Sequence, residues 1–536
     1  MVLTWPKFNR CVFGSRFYHW ILSGRIPEHI QTIPPHPWPG NPSAAEPFLD
    51  SPSLLPGITK YLDDVPWHGF ADTDPKARMY HRFAWLTDLQ AVGTEAARKR
   101  AQALLKSWIA DQGSWQPLSW QPEILGERLS HWLQHQSFLT QNFSDEEILK
   151  FSDSIARQLR HLKRVIGTST QDERSFLPLK GMIYGSICLS GFDALLKDGL
   201  SRLEKAIEKQ ILPDGGHISR NPSLMLQLLR HFIDIRAALI NSQTEVPVSL
   251  QRAIDRMGPI LRCLRHGDGG LALFNGGTAE TNDEINQTFL QSGTKTKAIS
   301  NAPHTGYQRL AAKRTVIIVD AGNPPAPPFD RHAHAAPLSF EMSIGKERLI
   351  VNCGSFTGND PAWHNALRAT AAHSGVTIND VNAVEISPKG GLTSKNVKVE
   401  YERQESDGNI WFEASHNGYG PRLKINHKRR LYLSADGNDI RGDDELTGGT
   451  VGSFAIRFHF HPDVRASLVQ DGSAVLVRLK NGEGWRLRVN GGALSLDDSI
   501  YLSDGRNAKR SQQAVILGNL GPDGALVKWR LDRVNN

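Results

Sequence analysis

Cysteine is scarce, with four in 536 residues: Cys11, Cys188, Cys263 and Cys353. None forms a C-x-x-C pair, which excludes a disulfide framework and a structural zinc site of that type. Long hydrophobic runs are also missing. No stretch approaches the roughly 18 consecutive apolar residues of a membrane helix. The first ten residues, Met1 to Arg10, are broken by proline and charge, so no uninterrupted apolar core or small-residue cleavage site of a standard secretory signal is visible. Blocks of one charge sign are absent too. The 62 basic and 55 acidic residues leave a net charge of +7 that is spread along the chain, which argues against a nucleic-acid-binding arm. A mildly basic surface does suit an anionic polysaccharide.

What remains is an ordinary globular composition, 39% hydrophobic and 22% charged. The length suggests about three domains. Residues 1–70 are rich in Pro, Trp and Gly, with Pro34-Pro35-His36-Pro37-Trp38-Pro39-Gly40 as the clearest non-helical piece, and read as an irregular arm. From 71 to about 300 the period is helical. Apolar residues recur at i, i+3 and i+4 over 78–89, 94–111, 144–166, 195–211 and 222–240, and Ser144-Asp145-Glu146-Glu147 is a capping box. Helices of similar length with short links suggest stacked hairpins in a bundle, a solenoid or a closed α/α toroid. From 301 to 536 short alternating runs take over, among them 315–320, 338–343, 349–352, 410–415, 428–434 and 454–461. Turns such as Ser406-Asp407-Gly408-Asn409 separate them, the signature of an antiparallel β-sandwich.

Three places concentrate chemistry. Arg331-His332-Ala333-His334 lies at the mouth of a strand, and histidines at i and i+2 of an extended segment share a face. Imidazole suits proton transfer or metal binding near neutral pH. A plain reading is two strand-end histidines that only hydrogen-bond locally. The second place is Asp214-Gly215-Gly216-His217-Ile218-Ser219-Arg220-Asn221-Pro222, between two helices. Asn221 before Pro222 reads as an N-cap with proline at the first helical position. His217, Arg220 and Asn221 are also three groups able to hold a carboxylate, Arg in bidentate fashion. The third is Arg265-His266-Gly267-Asp268-Gly269-Gly270, running on to Phe274-Asn275-Gly276-Gly277. Its glycines are not followed by Lys-Ser/Thr, so it is no phosphate loop, and an interhelical turn is the simpler reading.

These motifs resemble the heparinase II/III family, in its bacterial branch. His332-Ala333-His334 ahead of a Leu-Ser-Phe-Glu strand, Ile350-Val351-Asn352-Cys353-Gly354 and Arg368 to Ser374 resemble its C-terminal domain. So do Asp436 to Asp444 and Arg457 to Pro462. The Asp-Gly-Gly-His loop resembles its toroid domain. The resemblance implies an N-terminal α/α toroid, a C-terminal β-sandwich and a lyase acting on a uronate-containing acidic polysaccharide by β-elimination. In that chemistry a donor neutralises the uronate carboxylate, a base removes the C5 proton and an acid protonates the leaving oxygen at C4. His332, His217, Asn221 and Tyr307 are the implied catalytic residues, and Arg220, Arg331 and Asn275 the implied substrate contacts. His334, Asn352 and His373 match positions that bind a structural zinc in some members. Two departures are plain. Asn352 stands where the family carries Asp, and Ala336 where it carries another, so zinc is expected to be weak or absent. The toroid tyrosine is not evident, which leaves Tyr307 and Tyr184 as substitutes. A non-catalytic glycan-binding or envelope-assembly protein on a lyase scaffold is therefore the alternative, and a glycoside hydrolase using Asp214 and Asp268 a third reading. The resemblance implies the cell envelope or periplasm; the missing signal leaves the cytoplasm open.

Overall fold

The computed structural model describes residues 12–27, 30–49, 67, 75–168, 172–388, 390–393, 396–449 and 451–534. The arm expected over 1–70 lies partly outside them. Within its described part, Arg16–Leu22 is a helix whose first turn is capped by the Ser15 hydroxyl. Two compact units are present: residues 1–209 with 230–252, and residues 210–229 with 253–536.

The first unit is helical. Ser144 caps Asp145–Val165 in the expected box, with Glu147 reaching back to the Ser144 N–H. The periodic run 78–89 is two helices rather than one, Pro75–Arg82 and Leu86–Val92. The break falls at Phe83, whose φ of +61° no helix accommodates. Phe176–Cys188 has no helical period in its sequence because it is buried on nearly every side and carries no polar stripe. It packs on Pro122–Gln134 through glycines. A Cβ on Gly181 would lie 2.5 Å from the Gly126 backbone, and one on Gly126 would lie 2.3 Å from the Leu177 carbonyl. Backbone cannot yield as a side-chain tip can. Gly126→Ala should therefore destabilise the protein by about 1–3 kcal/mol, read as a lower denaturant midpoint. An unchanged midpoint would mean that the two helices separate freely.

The second unit carries the sandwich. One antiparallel sheet runs, in spatial order, Asn301–Ala302, Tyr307–Ala312, Thr315–Asp320, Phe340–Ile344, Glu347–Val351, Gly452–Phe460, Lys509–Leu520 and Ala493–Tyr501, with Val376–Ile378 also pairing Gly452–Phe460. The other runs Arg465–Val469, Ala474–Arg478, Gly484–Asn490, Ala525–Arg533, Asp439–Gly448, Ile425–Leu433, Asn409–His416 and Val399–Ser406. Period-2 alternation sends Ile410, Phe412, Leu431, Leu433, Ile440 and Leu446 inward onto Phe340, Met342, Ile456 and Phe458 of the first sheet, in one continuous core. The segment 436–444, read partly as a turn, contributes the strand Asp439–Gly448. A buried ion pair is built into this core: Arg429 donates to Asp444 from Nε at 2.7 Å and from Nη2 at 3.2 Å.

Candidate functional site

All the residues singled out in the sequence belong to the second unit, with the exception of Tyr184. The loop ahead of the helix Pro222–Asn241 is a compact turn. Asp214 accepts from Gly216 N–H at 3.1 Å, from Thr305 N–H at 2.7 Å and from the Thr305 hydroxyl at 2.7 Å, which makes it a fastening residue and not a free carboxylate. His217 is fully buried. Its Nδ1 accepts from Ser219 N–H at 3.1 Å, so Nε2 carries the proton and donates to Gln210 Oε1 at 3.0 Å. Burial pushes its pKa down to about 3.

Arg220 sits at φ +62°, a strained position for a side chain of that size. Its guanidinium forms a buried ion pair with Asp320 and donates to the carbonyls of Thr305 at 2.6 Å and Gly322 at 3.2 Å. Burial opposes its charge, but Asp320 outweighs that and raises its pKa. Tyr307 is fully buried below it, with its hydroxyl donating to the Arg220 carbonyl and accepting from Asn275 Nδ2 at 3.0 Å. Burial drives the phenol pKa far up. Asn275, also left-handed at φ +50°, gives its other amide hydrogen to Asp320 at 3.1 Å and accepts from His334 N–H at 3.2 Å. Arg220, Asn275, Tyr307 and Asp320 thus form one closed buried network, and none of the first three is turned to solvent. Asp320 was not singled out in the sequence; an aspartate ending an otherwise apolar strand is the signal that would have found it. Tyr184 is likewise buried, in the helical unit, and burial raises its pKa well above the ordinary value.

The two histidines of the H-x-H do not share a face. The chain turns at Asp330, whose carbonyl accepts from Ala333 N–H at 3.0 Å, so the segment is not extended there. His334 goes inward and His332 outward. A single proton chain fixes both buried tautomers: Gly276 N–H to His334 Nε2 at 3.0 Å, His334 Nδ1–H to His373 Nε2 at 2.7 Å, and His373 Nδ1–H to the Ala369 carbonyl at 2.8 Å. Burial lowers both pKa values, that of His373 to about 4. Each imidazole lone pair is already used. Asn352 turns its oxygen to Ser374 N–H at 3.0 Å and its amide to Glu341 at 3.3 Å, not toward the pair. Zinc would have to break this chain and would meet no carboxylate, so the three residues do not fit it. Among the described residues no group of three or more His, Cys, Asp and Glu side chains converges as metal ligands would.

At the surface stand Arg331, His332 and the half-buried Asn221 and His364. His332 Nδ1 lies 3.4 Å from His364 Nε2, and the rings meet edge to face. His364 was missed in the sequence. It rides on the short helix Pro361–Arg368, capped by Asp360, a signal that Asp-Pro alone supplies. Asn221 is the N-cap, as read: its Oδ1 accepts from Leu224 N–H at 3.0 Å. Its amide nitrogen faces the same spot as His332. A Cβ on Gly276 would lie 2.7 Å from His332 Cβ and 3.2 Å from Asn221 Nδ2, so only glycine lets these elements close up. The Asn221 amide near the stem of His332, with the exposed His332 ring against the half-buried His364, gathers donors able to hold a carboxylate.

Buried neutral histidines make stability depend on acid. His217 and His459 in this unit, and His161 in the helical one, are pushed by burial to about 3. In the unfolded chain each takes a proton near pH 6.5. Between these values the unfolded state binds more protons, so stability is full above pH 6.5 and is lost as pH falls toward 3, at up to about 1.4 kcal/mol per unit for each histidine. The melting temperature should fall steadily from pH 7 to pH 5; a flat profile would mean that the rings reach water.

Comparison with known proteins follows the same architecture. Residues 51–296 match the model of the heparinase II/III N-terminus and residues 294–530 that of the heparinase II/III-like C-terminal domain. The chain is 31% identical over 546 residues to FtsZ-localized protein C of Caulobacter vibrioides, covering 97% of this chain and 93% of that protein. Among solved structures, heparinase III superposes with a TM-score of 0.75 at 14% identity over 99% of this chain and 91% of that one. A mutant of the heparan sulfate lyase HepC from Pedobacter heparinus superposes with a TM-score of 0.69 at 15% identity, over 92% and 82%. The helical region followed by antiparallel sheets is therefore the heparinase III fold, a polysaccharide-lyase scaffold. With both of its domains matched and a relative of this identity spanning nearly the whole chain, the protein belongs to the heparinase II/III family.

Proposed function

We propose that this chain works at the division site as an acidic-glycan-binding member of its family, not as a lyase. The observation that carries the reading is the fate of the proton-transfer side chains. Tyr307 and His217 are fully buried, and each is committed to hydrogen bonds that hold it in the uncharged form. A base must reach the proton it removes, and neither can. The surface left over, Asn221 with His332 and His364, offers donors for a carboxylate. The relative named for its localisation with FtsZ supplies the cellular setting. A fluorescent fusion of the full chain should coincide with FtsZ at midcell, and Asn221→Ala should weaken retardation of the protein in a polygalacturonate gel. Diffuse fluorescence together with unaltered retardation would remove the proposal.

One observation favours a second reading, catalysis by β-elimination. His332 and His364 are close enough to pass a proton, and the Asn221 amide lies near the stem of His332, where it could neutralise the uronate. That arrangement would run base and acid through one imidazole pair, and His332→Ala would then abolish turnover.

A further inference from the structure

The sandwich carries a second feature that plays no part in the site above. On the outer face of the sheet holding Asn409–His416, six residues stand in register across six adjacent strands. They are Gln404, Trp411, Tyr432, Arg441, Arg530 and Arg488. At strand spacing the row spans roughly 24 Å. The row lines an open depression of about 990 Å³.

The composition of the row is what needs explaining. Three arginines stand directly opposite one another on consecutive strands, an arrangement that lowers sheet stability. They are 59%, 43% and 41% exposed in row order. Asp439 is shared between Arg441 and Arg530, and Asp532 between Arg488 and Arg486, so two carboxylates serve four guanidiniums. Nε of both Arg488 and Arg486 has no hydrogen-bond partner. Next to the arginines, the 43%-exposed Trp411 meets Tyr432 at 5.3 Å between ring centroids, and Arg441 lies over that phenol ring at 5.3 Å.

We infer that this face binds a uronate-containing glycan chain along the row, as a site separate from the Asn221–His332 surface. Trp411, steadied by Tyr432, offers a flat apolar face to a sugar ring. The arginines present forked donors that match carboxylates in bidentate fashion, with charge to spare after their own aspartates. Asp439 and Asp532 accept from hydroxyls. A polyhydroxylated acid brings both donors and carboxylates and so satisfies both kinds of group. An acidic peptide brings carboxylates for the arginines but no pyranose face to lie on Trp411.

The test is calorimetric titration of a short oligogalacturonate into the full chain, in the natural sequence and in the Asn221→Ala background, which separates this site from the other. Trp411→Ala and Arg488→Ser should each weaken the binding that persists in Asn221→Ala by about tenfold or more, with unchanged melting temperature. Binding untouched by either substitution overturns the inference, as does the absence of any heat in the Asn221→Ala background. Equal binding of poly-glutamate, or of anionic lipid vesicles, lost in the same variants would overturn it in favour of a peptide or a membrane.

Discussion

Asp444→Asn is expected to destabilise the protein by about 3–5 kcal/mol. Asp444 is fully buried between the sheets and accepts from Arg429, from His427 Nε2 at 2.7 Å and from Trp529 Nε1 at 3.1 Å. Burial alone would raise its pKa; Arg429 and His427 together outweigh that and hold the carboxyl well below the usual range. The amide keeps the shape and removes the charge, so Arg429 stays buried without its counter-ion. Its remaining partners, the carbonyls of Leu338 and Ser374 at 2.9 and 3.0 Å, tie the core to the segments leading to His334 and His373. Equilibrium denaturation should show a lower midpoint at unchanged slope. A shift under 1 kcal/mol would mean that water reaches Arg429.

Arg220→Met should cost a similar amount, about 3–5 kcal/mol, because it strands Asp320 in the buried network. Methionine fills most of the volume, so the loss is electrostatic and not a cavity effect. Asp320→Leu in the same chain should recover part of it, since removing both charges is milder than removing one. The same variant separates two roles for Arg220. If it only holds the network, glycan affinity per folded molecule stays unchanged. If it contacts substrate, affinity drops in molecules that remain folded.

The division of the chain was legible because periodicity is local. Alternation marked Thr315–Asp320 and Asn409–His416 almost to the residue, and the Ser144 box marked a helix start. Phe176–Cys188 was not legible, because a helix packed on every side has no stripe. The site was partly legible. The sequence marks His217, Arg220, Asn221, Asn275, Tyr307, His332, His334, Asn352 and His373 as candidates, and all lie in one unit. It did not show which way each points. Arg220 faces Asp320 a hundred residues away, and His332 faces His364 across a turn that looked like extended chain. Such pairings are made by the fold, and no local spacing encodes them. The arginine row on the second sheet was hidden for the same reason: its six members are drawn from strands spread over 404–530.

With Tyr307 and His217 locked in the interior, the scaffold is expected to bind glycan without cutting it. This is tested most directly by incubating the purified full chain with a panel of uronate polysaccharides and following the ultraviolet absorbance of a new C4–C5 double bond. The expected result is a flat trace with every glycan, including those that bind. A rising trace that disappears in His332→Ala would contradict it and establish the family's β-elimination in this chain.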